Sequence, residues 1–158
     1  VSAWINPASY GLASESWMVR IADKSNGSAT AGWNIWLCSV SMCGGGNQIW
    51  IRQGFSTTPG GWNSGANPVT LGAWTHVAMT YDSSSTTNDP ILYINGAAVS
   101  LTENSAPVGT PGSDATINFT IGNQTSTAAT FDGKIDDVRV YNRILTPSEI
   151  TNLYNFGR

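Results

Sequence analysis

Ile91-Leu-Tyr-Ile-Asn-Gly-Ala-Ala-Val-Ser-Leu101 decides the architecture. Two short apolar runs, Ile91 to Ile94 and Ala97 to Leu101, flank Asn95-Gly96. Asn-Gly tolerates the positive backbone angles that match the twist of paired antiparallel strands, so the segment reads as a β-hairpin. Strand signals continue on both sides of it. Upstream lie Val1 to Ile5, which stops at Asn6-Pro7, then Trp17 to Ala22, Trp33 to Cys38, Gln48 to Phe55 and Thr75 to Tyr81. Downstream lie Thr116 to Gly122 and Lys134 to Tyr141. Gly, Pro and Asn punctuate them, which predicts an antiparallel sandwich rather than β-α-β units.

Alternation predicts the core. Val77, Met79 and Tyr81 share one face, as do Trp33, Ile35 and Leu37. Ile49, Ile51 and Phe55 form a third set, Ile117, Phe119 and Ile121 a fourth, and Val138 with Val140 a fifth. One helix is expected, at the C-terminus. Thr146-Pro-Ser-Glu149 has the residues of a capping box, and Ile150, Leu153 and Tyr154 follow on one face. The fold class is therefore all-β, a two-sheet antiparallel sandwich with one short C-terminal helix. No internal repeat or linker divides residues 1–158, which read as one domain.

The bulk numbers exclude several classes. Hydrophobic residues make up 41% of the 158, and seven tryptophans are available to bury, so disorder does not fit. Only 11% are charged and the net charge is −3. The seven basic residues form no stripe along the sequence, which argues against nucleic-acid binding. No apolar run is long enough to span a bilayer as a helix, so no membrane insertion is expected. A Lys-poor, Ser/Thr/Asn-rich composition is common in exported proteins and suggests a secreted or cell-surface setting. The start at Val1, inside a strand-like run, reads as a mature or trimmed product. Cys38 and Cys43 are close enough to close a small disulfide loop, worth about 2 kcal/mol, or they are two thiols. With one histidine they do not make a zinc site.

Catalytic chemistry is missing from the pattern. A retaining glycosidase holds two carboxyl groups about 5 Å apart. Glu15, Glu103 and Glu149 are isolated in sequence. Asp136 and Asp137 are adjacent, which on a regular strand sends them to opposite faces. His76 sits among core residues of a central strand and reads as structural. The chain is expected not to be an enzyme.

Three segments now stand in order: Trp74-Thr-His-Val-Ala-Met-Thr-Tyr-Asp82, Leu92-Tyr-Ile-Asn-Gly-Ala-Ala-Val99 and Phe131-Asp-Gly-Lys-Ile-Asp-Asp-Val-Arg-Val-Tyr-Asn-Arg-Ile-Leu-Thr-Pro-Ser-Glu-Ile150. Together they resemble the bacterial laminin-G-like, concanavalin A-like lectin/glucanase jelly-roll family across essentially the whole chain. The resemblance implies two packed antiparallel sheets, one of them curved. It also implies an extracellular sugar-binding or adhesive module, in many members with bound Ca2+. Trp4 and Trp74 match framework positions. Family members usually carry another strand before the one resembling Val1 to Ile5. An open edge there raises two readings: a trimmed boundary, or a neighbouring chain that donates the strand. The second would suit an assembly domain of a surface filament or appendage.

Sugars pack their C–H faces on indole rings. If Ile35 and Ile51 face the core, Asn34, Trp36, Trp50 and Arg52 share the opposite surface, either as a glycan-stacking platform or packed beneath loops. Trp62, in the Gly-rich segment Pro59 to Gly65, is a second candidate on an expected loop. Calcium needs six to eight oxygen ligands. Candidates are Asp136, whose parity with Val138 points it inward, and Asp23 and Asn26 in the expected loop Asp23 to Gly27. Hydrogen bonding to loop amides is the alternative for Asp136. The acid that laminin modules place shortly before the Trp-x-His-Val run has no counterpart in Val69 to Trp74.

Overall fold

The computed structural model describes residues 1–11, 18–27, 29–43, 47–124 and 129–157. Thirteen elements follow in chain order: β1 Ser2–Pro7, β2 Met18–Ser25, β3 Gly32–Cys38, α1 Val40–Cys43, β4 Gln48–Gln53, β5 Gly60–Asn63, β6 Thr75–Thr80, β7 Ile91–Ile94, β8 Ala97–Val99, β9 Thr102–Ser105, β10 Thr120–Ile121, β11 Gly133–Arg139 and α2 Pro147–Phe156. They form two antiparallel sheets, β11-β1-β6-β7-β8 and β10-β2-β3-β4-β5-β9. Asn95 and Gly96 carry φ of 51° and 78° between β7 and β8, the left-handed geometry that this turn demands.

The sheets enclose a shared core. The six-stranded sheet supplies Val19, Ile21, Ile35, Leu37, Ile49, Ile51 and Trp62. The five-stranded sheet supplies Ala3, Ile5, Val77, Met79 and Leu92. A second cluster lies outside the sandwich, where Ile150 of α2 and Leu145 pack on Ala78 and Tyr93. The outer face of the five-stranded sheet is thus partly covered by the C-terminal helix. Thr146 caps that helix: its side chain accepts from the Glu149 N–H, and the Glu149 carboxylate accepts from the Thr146 N–H. Replacing Thr146 by alanine is expected to cost about 1 kcal/mol, read by thermal denaturation; an unchanged midpoint would show that the cap contributes nothing.

Several sequence expectations are corrected. Asp23 to Ser25 continue β2 rather than forming a loop, and Trp17, the expected start of that strand, lies outside the described residues. Of Thr116 to Gly122, only Thr120 and Ile121 pair, at the sheet edge. Phe119 and Ile121 are accordingly exposed, at 36% and 51%, because two paired residues do not impose an alternation. The segment Pro59 to Gly65 contains strand β5, and Thr102 to Ser105 forms β9. Strand β1 has partners on both sides, β11 and β6, so the open edge anticipated there is occupied. In β11 the register shifts between Ser2 and Trp4 of its partner, and Asp137 has φ of 48°. This bulge resets the parity: Ile135 and Val138 both pack on the core, Val140 is 56% exposed, and Asp136 points outward.

Candidate functional site

The outer face of the six-stranded sheet is built by alternation and register. Ile35 and Leu37 go to the core, so Asn34 and Trp36 face away; Ile49 and Ile51 do the same for Trp50 and Arg52. Trp36 then sits directly opposite Trp50, and Asn34 opposite Arg52. The two indoles stack with centroids 5.8 Å apart and planes 20° from parallel. Trp36 is 4% exposed and Trp50 is half-buried. The pair therefore presents the Trp50 ring, supported from the side by Trp36. Trp50 Nε1 donates to Gln48 Oε1 at 2.7 Å, which fixes its ring.

Strand β2 completes the surface. Arg20 lies opposite Trp36, and its guanidinium carbon is 4.8 Å from the centre of that indole. Arg52 reaches the same ring at 6.0 Å. A register shift between Arg20 and Ala22 places Asp23 on the same side as Arg20. Arg20 Nε donates to Asp23 Oδ2 at 2.9 Å. The other Asp23 oxygen accepts from the Ser25 N–H and hydroxyl, each at 2.8 Å. Asn34 Nδ2 donates to the Ser25 oxygen at 3.1 Å. This chain of bonds holds Arg20, Asp23, Ser25 and Asn34 in one arrangement. Burial pulls the Arg20 guanidinium down, and the Asp23 carboxylate opposes that shift.

Among the described residues, three buried polar atoms on this face have no protein partner: Arg20 Nη1, Asn34 Oδ1 and Trp36 Nε1. They are two donors and one acceptor on adjoining strands. Buried polar groups are nearly always satisfied, and leaving one bare costs about 1–3 kcal/mol.

The remaining candidates are dispersed. Trp62 is 1% exposed; its ring faces the core and its Nε1 donates to Asp89 at 2.8 Å. It belongs to the sandwich interior rather than to a loop. Gly60 provides the room, because a Cβ there would stand 2.1 Å from the Trp62 ring. Cys38 and Cys43 are joined by a disulfide. Asp23 and Asn26 are on the six-stranded sheet and its following turn, whereas Asp136 is on the five-stranded sheet. Asp23 is committed to Arg20 and Ser25, and Asn26 is exposed and donates to Thr30. These three do not converge on one ion, and no group of three or more His, Cys, Asp or Glu suited to a metal occurs among the described residues.

Asp136 and Asp137, expected on opposite faces, instead both line a cavity of about 720 Å³ beside α2, with Trp4, Trp74 and Tyr154, because the bulge at Asp137 breaks the alternation. His76 lies beneath, 5.4 Å from Trp4 and 6.2 Å from Tyr154; burial lowers its pKa and favours the neutral ring. Trp74 is 45% exposed. Asp137 is paired with Arg139 at 2.8 Å.

Arg20 is the residue that sequence reading missed. It stood out only as one of seven scattered cations, although alternation around Val19 and Ile21 would have turned it outward.

A family model described as the concanavalin A-like lectin/glucanases superfamily matches residues 1–151. No curated protein matches the chain. With two antiparallel sheets, a short C-terminal helix and a match over nearly its full length, the chain belongs to the concanavalin A-like lectin/glucanase superfamily.

Proposed function

We propose that this chain is a non-catalytic, exported recognition module that binds a glycan on the outer face of its six-stranded sheet. The observation that carries the reading is the Trp36–Trp50 stack on the outer face of the sheet, whose half-buried Trp50 ring is fixed by Gln48. An indole offers a sugar an apolar plane on which its C–H face can pack. On this face the carboxylates support a binding role over hydrolysis. Asp23 is the described carboxylate on this face, and it is bound to Arg20 and Ser25. A glycosidase would need a second carboxyl group within about 9 Å across the sugar.

A glycan array followed by calorimetry, with and without calcium, tests the reading. Trp50→Ala removes the half-exposed ring while leaving the core face intact. It is expected to weaken binding at least tenfold, about 1.4 kcal/mol, as central tryptophans of interfaces do. Binding to no glycan, or equal binding by Trp50→Ala, would overturn it.

A further inference from the structure

We propose that the glycan unit recognised on this face is anionic, carrying a carboxylate or sulfate that the half-buried Arg52 holds beside the stacked indoles. This rests on the reading that the face binds a glycan. The chain has seven basic residues, and two of them flank one indole. Asp23 is the one described carboxylate beside them, so two guanidiniums stand against one carboxylate; Glu103 on β9 lies opposite the core-facing Trp62. Asp23 compensates the buried Arg20, which leaves the half-buried Arg52 with no ion pair among the described residues.

The hydrogen-bond inventory agrees. Arg20 spends Nε on Asp23, and Nη2 reaches Gln124 Oε1 only at 3.5 Å. Its Nη1 is sealed from solvent, so Arg20 packs on the Trp36 ring and leaves the ligand to Arg52. Arg52 lies half-buried one strand beyond Trp36, opposite Asn34. A planar guanidinium with a free edge matches carboxylate and sulfate oxygens, and such charge-assisted bonds are about twice as strong as neutral ones. The contact with the Trp36 ring holds the Arg52 fork in place. A single-stranded nucleic acid would also offer anions and stacking rings, but its continuous phosphate backbone calls for a basic groove, and the seven basic residues form no stripe along the sequence.

Calorimetry on the intact chain with four probes tests this: an oligouronate, its carboxyl-reduced neutral counterpart, a sulfated oligosaccharide, and a single-stranded oligonucleotide. The expected result is at least tenfold tighter binding of the uronate or the sulfated sugar than of the neutral counterpart. That preference should fall as ionic strength rises. Arg52→Met keeps an apolar stem and does not touch the Arg20–Asp23 pair. It is expected to weaken the charged ligand at least tenfold and the neutral one less than twofold. Arg52→Lys should restore only part of the loss. Equal binding of charged and neutral sugars, or equal weakening of both by Arg52→Met, would overturn the anionic inference and leave glycan recognition standing. Tighter binding of the oligonucleotide than of any sugar would overturn it in favour of nucleic acid. Binding of no probe and no arrayed glycan would remove both readings.

Discussion

Replacing Asp23 by asparagine is expected to lower the stability of the fold by about 3–5 kcal/mol. Asp23 is 1% exposed and Arg20 is 6% exposed, so the pair has almost no water to fall back on. Its carboxylate collects three hydrogen bonds, one from Arg20 and two from Ser25. An amide has one acceptor oxygen and cannot serve both sides. The guanidinium would then be buried with Nε and Nη1 both bare. Because Ser25 also accepts from Asn34, the loss spreads to the strand that carries Trp36. Urea denaturation measures the effect. Arg20→Met should show a similar loss, while the double variant Arg20→Met with Asp23→Leu should recover much of it, since an apolar pair leaves no orphaned charge. A loss below about 1 kcal/mol for Asp23→Asn would show that water reaches this pair, contrary to its low exposure.

The second large effect is expected at Trp62. Truncation to alanine should cost about 3–5 kcal/mol, because the ring is fully enclosed between the sheets. It meets Tyr81 edge to face with centroids 5.3 Å apart and bonds Asp89. Trp62→Phe keeps an aromatic ring and should remain folded with a smaller loss. Its glycan affinity should equal that of the parent chain, because position 62 faces the core and position 50 faces out. Affinity that falls with Trp62→Phe while the fold persists would place the ligand elsewhere. Denaturation and calorimetry on the same samples separate the two effects.

The contrast between these tryptophans shows how far the sequence is legible. Alternation works where a strand is long and one face is apolar. Trp33 to Cys38 and Gln48 to Gln53 are such strands, and their register brought Trp36, Trp50, Asn34 and Arg52 together as expected. The hairpin at Asn95-Gly96 and the Thr146–Glu149 cap are local devices and are equally readable. Gly-Gly-Trp-Asn carries no alternation, so β5 was hidden; its glycines serve pairing and ring clearance, which only the partner strands reveal. Bulges are the other source of error. One in β2 puts Asp23 beside Arg20, and one in β11 turns Asp136 away from the core. Each inserts a residue whose effect on parity depends on the neighbouring strand. The candidate site was thus half visible: its aromatic ladder follows from period two, but its buried ion pair depends on a bulge.

The most direct test of glycan recognition at the stacked pair is the set of indole N–H resonances in a ¹⁵N-labelled sample, assigned with single Trp→Phe variants and titrated with the best-binding oligosaccharide. The Trp36 Nε1–H has no partner in the free protein, and the Trp50 Nε1–H is bonded to Gln48 beside it. Both resonances are expected to shift with the occupancy measured by calorimetry, while that of Trp62, buried between the sheets, stays in place. Saturating ligand that leaves Trp36 and Trp50 unmoved and shifts Trp4 or Trp74 instead would contradict the account and place recognition on the opposite sheet.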